Sequence, residues 1–269
     1  MFPTTLDALG VINYSGTGNQ NILSPAGRSY GVLRISGSGI KSLTAATTIL
    51  SDLFVDAGTL DILNYTFGRT GFGGTMNVAN LATLKLSGSN FPANFATVDL
   101  GPNSTVNYYG AGQTVANVTK GYGNLSLTGN GLKDMPATSA LVIAGYLEAS
   151  GTGSPLTFEA KGSLAITGKV DLSGTASFNA GAFTHTVGGD WINNADFFGG
   201  TSTVILTGTG KKIERTLTTA LSPTLRNEFY NLQVAGLGTT IKVPSAQSLT
   251  IRGNLETTGA GTLTQSAGD

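Results

Sequence analysis

Catalysis needs a nucleophile, a base, paired carboxylates or metal ligands at workable spacing, and this chain offers few of them. His185 is its only histidine. It lies in Phe183-Thr184-His185-Thr186-Val187, an alternating strand, and nothing in the sequence marks a nucleophile for it, so the plain reading is a strand position. One histidine excludes a multi-histidine zinc or iron centre, and the absence of Cys excludes thiolate sites and disulfides. Among the scattered carboxylates, Asp52/Asp56 and Asp190/Asp196 are candidate pairs. Such a pair serves a polysaccharide-cleaving enzyme as acid and base, or contributes to a Ca2+ site if further oxygen ligands converge. No D-x-D-x-D-G or G-G-x-G-x-D run accompanies them, so the simpler reading is Asp at turns, bonding its local backbone.

The glycine motifs Gly16-Thr17-Gly18, Gly208-Thr209-Gly210 and Gly71-Phe72-Gly73-Gly74 have the look of phosphate loops. Strands follow them where a phosphate loop needs a helix, and no Lys-Ser/Thr closes them, so they read as turns. Tyr108, Tyr109 and Tyr122 cluster, with Tyr30 and Tyr230 at related places. Tyrosine faces suit sugar rings, which makes the cluster a candidate glycan contact. Recurrence at the same point of a repeat argues instead for an aromatic stacked inside. Trp191 reads as packing at a corner. The densest charge lies in the insert Lys211–Glu228, with Lys211, Lys212, Arg215 and Arg226. It reads as a solvated loop or as a contact loop for a partner, and Ile213–Leu221 has the composition for one or two helical turns closed by Pro223.

These residues must be positioned by strands. Helical periodicity is nearly absent, and apolar residues alternate over short runs bounded by Gly, Ser, Asn or Thr. Clear cases are Val32–Ser36, Ala82–Gly88, Ala96–Gly101, Asn124–Gly129, Ser163–Gly168, Lys169–Gly174 and Ser248–Arg252. Charged residues make 11% of the chain and the net charge is zero. Nucleic acid is therefore a poor partner. No apolar run is long enough for a membrane helix, and Met1–Gly10 lacks the features of a signal peptide.

One block occurs three times. It starts at Ile12, Val106 and Val204, carries anchor glycines Gly16, Gly110 and Gly208, then an aromatic (Tyr30, Tyr122, Phe229), a short strand and a closing glycine (Gly37, Gly129, Gly236). A finer rhythm runs through Leu33, Leu43 and Leu53, through Leu125, Met135 and Leu147, and through Leu232, Val243 and Leu255. Coils of about 20 residues follow from it, each too small to bury its own apolar face and so needing to stack on its neighbours. An antiparallel sandwich would also give many short strands. Three features favour a parallel stack: the repetition runs the whole length; hairpin dipeptides are scarce, Asn130-Gly131 being the clearest; and charge is low where stacked coils would set like charge against like.

The stretch His185–Ile213, carrying Gly188, Gly189, Asp190, Trp191, Asn193, Asn194 and the Gly208–Gly210 turn, with Phe229–Gly236 and Ser248–Thr264, resembles repeat regions of large secreted and cell-surface proteins of Bacteroidetes-type bacteria. That resemblance implies a right-handed parallel β-helix, similar to filamentous-haemagglutinin-like adhesins, at an extracellular or cell-surface location. It transfers no catalytic residue.

The expectation is an all-β, right-handed parallel β-helix forming one β-solenoid domain over 1–269, with internal repeats at about 1–100, 101–200 and 201–269. Its expected role is a non-catalytic structural or adhesive module of an exported bacterial surface protein or extracellular filament. The alternative is a carbohydrate-binding or polysaccharide-cleaving β-helix. No cofactor is expected, Ca2+ being the one candidate. Expected partners are neighbouring repeats, end-to-end copies joined at an uncapped last coil (Thr262–Asp269), or surface glycans.

Overall fold

The computed structural model describes residues 9–23, 29–216, 225–242 and 247–265. Among these, every helix or strand is a β-strand and every strand pair is parallel, which excludes the antiparallel sandwich. All seven strands expected from alternation are found, including Val32–Ile35, Thr83–Leu86, Ser163–Ile166 and Val170–Asn179. About 11 turns of roughly 22 residues stack as a β-solenoid.

A single turn shows the plan. The chain runs along a first side at Ile40–Leu43, a second at Thr47–Ile49 and a third at Leu53–Val55. It returns to the first side at Thr59–Asp61, where Asp61 lies opposite Ser42. In later turns one bent strand covers the first two sides, as in Asn124–Asp134 and Leu147–Glu159. The bends carry a register shift, and Gly129 and Gly131, flanking Asn130, take positive φ of 79° and 73° there. The expected hairpin dipeptide is thus a solenoid corner.

Alternation aligns inward residues into columns. On the first side, Leu60, Leu84, Val106, Leu125, Leu147, Val170, Trp191 and Ile213 meet in successive register and are buried. Burial of each such side chain contributes roughly 1.5–3 kcal/mol. Phe158 stacks on Phe178 at 4.5 Å, and Phe178, Phe197, Phe229 and Trp191 continue the aromatic pile. Trp191 is therefore packing, but it packs from within the strand Trp191–Asn193 rather than at a corner.

The corner before the first side is lined by Gly123, Gly145, Gly168 and Gly189. Each of the last three donates its N–H to the carbonyl of the one below, at 2.7–2.8 Å. A Cβ on Gly168 would lie 2.4 Å from the Gly145 oxygen, so the turns close up only with glycine there.

Each repeated block is two adjacent turns. Tyr14 pairs with Ile35, Tyr108 with Leu127, and Leu206 with Val234, which sets each anchor glycine beside the closing glycine of its own block. The finer rhythm is the register itself, since Leu33/Leu53, Leu125/Leu147 and Leu232/Leu255 are opposed. Leu43 belongs to the first side while Leu33 and Leu53 belong to the third, and Val243 lies outside the described residues.

On the outside of the first side, Asp61 opposes Lys85, and Asn107 and Ser126 follow. Then Glu148 opposes Asp171, a like-charge pair. Lys169 offsets it by bonding Asp171 at 2.6 Å, and Ser126 donates to Glu148 at 3.2 Å. The insert departs from expectation. Lys212–Glu214 is a strand between Trp191–Asn193 and Thr239–Lys242, not the start of a helical turn. Residues 217–224, Pro223 among them, and 266–269 of the expected uncapped end lie outside the described residues.

Candidate functional site

The third side is interrupted once. Below the break it carries Val11–Tyr14, Val32–Ile35, Leu53–Val55, the latter part of Phe67–Val78, and Ala93–Leu100. Above it come Ala140–Ile143, Ser163–Ile166, Thr184–Val187 and their successors. The turn between has no strand over Val115–Gly121, only a single bridge from Tyr122 to Ile143. Val115 and Val118 are both buried, three residues apart, and that spacing cannot alternate along a strand. Gly121 N–H closes a turn on the Val118 carbonyl at 2.8 Å.

Two tyrosines hold this segment. Ala116 N–H donates to the Tyr108 hydroxyl at 3.0 Å, Tyr108 and Tyr122 hydroxyls meet at 3.2 Å, and Tyr122 donates to the Ala116 carbonyl at 2.6 Å. The two side chains thus stand in for the missing strand partner of Ala116. Burial pushes the Tyr108 hydroxyl up to about 12, against opposing hydrogen bonds from Tyr122 and Ala116, and burial also raises that of Tyr122. Both stay protonated, as the relay requires. Tyr14 and Tyr30 repeat the arrangement in the first block, with hydroxyls 3.1 Å apart and Tyr30 donating to the Leu23 carbonyl.

This corrects the tyrosine platform. Tyr108 and Tyr122 are at most 2% exposed and point inward, so no glycan reaches them. Tyr109, one residue on, points outward. Its hydroxyl donates to the Asp61 carboxylate at 3.0 Å, and Lys85 sits over its ring at 4.6 Å. Burial, then the charge of Asp61, pushes its hydroxyl up to about 12.

Beside the break lies a groove of about 450 Å3. Phe91, Pro92 and the strand Ala93–Leu100 form one wall, and Asn117–Lys120 the other. Lys120 is ion-paired with Asp99 at its rim. Sequence reading missed the groove. The one available signal was the Val115–Val118 spacing.

The remaining candidates separate. Arg215 is buried and donates to the Ala195 carbonyl at 3.3 Å, so it is a root of the insert and not a contact for a partner. Arg226 is held by Asp196, whose two oxygens take its Nε at 3.0 Å and Nη2 at 2.7 Å. Burial pushes the Asp196 carboxyl up, but the bonds from Arg226 and Ser177 outweigh it and hold it below its ordinary value. Lys211 and Lys212 lie at the surface and make no ion pair among the described residues. Asp190 accepts the Lys212 N–H, away from Asp196. Asp52 accepts from Thr75 N–H and Ser51, while Asp56 pairs with Arg34 at the other end of a strand. Neither carboxylate pair is brought together, and among the described residues no three metal-ligating groups converge. His185 lies in the core opposite Val204, with Nδ1 accepting from Leu164 N–H at 3.1 Å and Nε2 donating to the Ala180 carbonyl at 2.8 Å. That pattern is a neutral ring. Burial holds its pKa below the ordinary value, against the Ala180 bond. The run Gly71–Gly74, expected as a turn, is a bend within the strand Phe67–Val78, with Phe72 exposed on it.

Two buried lysines also escaped notice. Lys41 donates to the carbonyls of Gly16, Gly18 and Ser38, and Lys133 to Gly110 and to Gln113 Oε1. Each ends a Gly-x-Gly-x-Lys run (Gly37–Lys41, Gly129–Lys133) and clasps its corner to the turn below. The run alone was no sufficient signal, since Gly208–Lys212 has it too and Lys212 is exposed.

No known protein family, characterised protein or solved structure matches the chain. The β-solenoid architecture stands on its own geometry. No helix among the described residues is long and apolar enough to cross a membrane.

Proposed function

We propose that the chain is a non-catalytic structural or adhesive module of an exported bacterial surface protein or filament, holding a binding feature at a fixed distance. One observation carries this reading: the unbroken inward column of the first side, in which each turn rests on the turns above and below it, giving a stiff stack rather than a closed globule. At about 4.8 Å per turn, 11 turns span roughly 50 Å. The resemblance of the Gly188–Asn194 region to repeats of large surface proteins, and the lack of Cys, support export. The groove at the interrupted third side is the binding feature.

Two measurements test the reading. Small-angle X-ray scattering is expected to give a constant cross-section along a rod. Incubation with plant and bacterial polysaccharides is expected to release no reducing ends. Turnover would replace the reading with a polysaccharide-cleaving β-helix, and a globular scattering profile would remove the spacer.

A further inference from the structure

We propose that the groove beside Ala93–Leu100 takes an extended, uncharged peptide segment of a partner protein, added as a strand to the edge left bare by the interrupted third side. The inference deepens the reading of the groove as the binding feature and rests on it.

In a parallel ladder, successive residues direct their N–H and C=O to opposite neighbours. Gly101 N–H donates to the Val78 carbonyl at 2.9 Å, in the strand below. Counting back by twos, Asp99 and Thr97 face that same strand, and Ala96 and Val98 face the groove. Their strand pairs only with Phe67–Val78, and among the described residues no backbone group covers Ala96 or Val98 from the groove side. Elsewhere on this side the next turn supplies that cover. Here the next turn spends its residues on the inward Val115–Gly121 segment, whose Ala116 groups are consumed by the two tyrosines.

The free groups recur every second residue, about 6.7 Å apart. Another extended main chain presents donors and acceptors at that repeat, and a sugar ring does not. The volume, about 450 Å3, lies within the range of ligand sites, ~300–1,000 Å3. Charge selects among peptides. The lining is uncharged except for Lys120, which Asp99 already neutralises, so a charged side chain entering the groove would lose its hydration without gaining a partner. This is strand addition to an open sheet edge.

The test uses the whole chain and fluorescent, N-acetylated hexapeptides copied from its own third-side strands, such as Ser-Leu-Ala-Ile-Thr-Gly (163–168). The expected result is saturable binding at one site. N-methylation of alternate peptide amides should abolish it. Ala96→Trp and Thr119→Tyr, at exposed positions on the two walls, should each weaken it at least tenfold without lowering the melting temperature. Absence of binding by every peptide, equal binding by the N-methylated forms, or indifference to both substitutions overturns the proposal. Binding of an oligosaccharide that Ala96→Trp removes would assign the groove to a glycan and also overturn it. A rod-like scattering profile with no peptide binding would sink the peptide and leave the spacer standing.

Discussion

Replacing Tyr122 with Phe opens a closed relay of hydrogen bonds. Tyr122 donates to the Ala116 carbonyl, so the hydrogen bridging the two hydroxyls belongs to Tyr108, and Tyr108 accepts from Ala116 N–H. Tyr122→Phe keeps the packed ring but strands the Ala116 carbonyl and the Tyr108 hydrogen. Each orphaned group costs ~1–3 kcal/mol when buried. Ala116 is half-buried, so water recovers part, and a loss of about 1.5–3 kcal/mol is expected. Tyr108→Phe strands the Ala116 N–H and takes the donor from the Tyr122 oxygen, but the Tyr122 hydrogen keeps its bond, which places the loss at about 1–2 kcal/mol. Both single changes destroy the same hydroxyl–hydroxyl bond, so the double variant should cost about 1 kcal/mol less than their sum. Urea unfolding gives the global values. Turns of a stacked array can open separately, so hydrogen exchange at the Ala116 amide supplies the local readout, and it should accelerate in both single variants. Losses below about 0.5 kcal/mol in both, or strict additivity in the double, would refute the relay.

Glycine contacts give a comparison within one corner. A Cβ on Gly37 would stand 2.0 Å from the Gly16 oxygen, whereas one on Gly18 meets nothing within 4 Å. Gly37→Ala should therefore cost ~1–3 kcal/mol and Gly18→Ala almost nothing, as read by thermal melts. Burial pushes the Lys133 ammonium down to about 8, from about 10.5. The unfolded chain then holds the extra proton between those values, so stability should rise with pH across that window. Lys133→Met should flatten the rise in melts taken from pH 7.5 to 10.5. Asp196 has the opposite chemistry: its lowered carboxyl contributes stability above the ordinary 3.8 that is lost as pH falls through the folded value. Asp196→Asn should remove that acid limb and cost ~1–3 kcal/mol at neutral pH, a partly exposed Arg226 limiting the loss.

Much of the architecture was legible because a parallel stack writes its period into the chain. Leu125 and Leu147 are 22 residues apart and lie opposite one another. Low charge was legible for the same reason, and where like charges do oppose one another a lysine offsets them: Lys169 beside Glu148 and Asp171, and Lys161 on Asp134, which faces Glu159. The repeated blocks were legible as repeats but not as pairs of adjacent turns, since identical spacing fits a 95-residue module or a two-turn module recurring between plain turns. The insert misled because Ile213–Leu221 has helical composition, while the register inherited from Trp191 makes its first residues a strand. Propensity lost to stacking.

The tyrosines show where a finer reading of the same sequence was open. Side chains alternate across a strand. Val106 begins the apolar alternation of Thr105–Tyr108, so Tyr108 shares its inward face and Tyr109 takes the other. Parity alone separates the inward ring from the outward one; recurrence of an aromatic does not, because core and surface both recur once per turn. The groove is a different kind of omission. Parity predicts only residues that lie in strands, and the groove exists because Val115–Gly121 does not. A solenoid's binding features arise where its rhythm fails, so the residues that create one are those whose spacing fits no face. Val115 and Val118 meet that description, and the Ala96–Val98 edge is bare because they do.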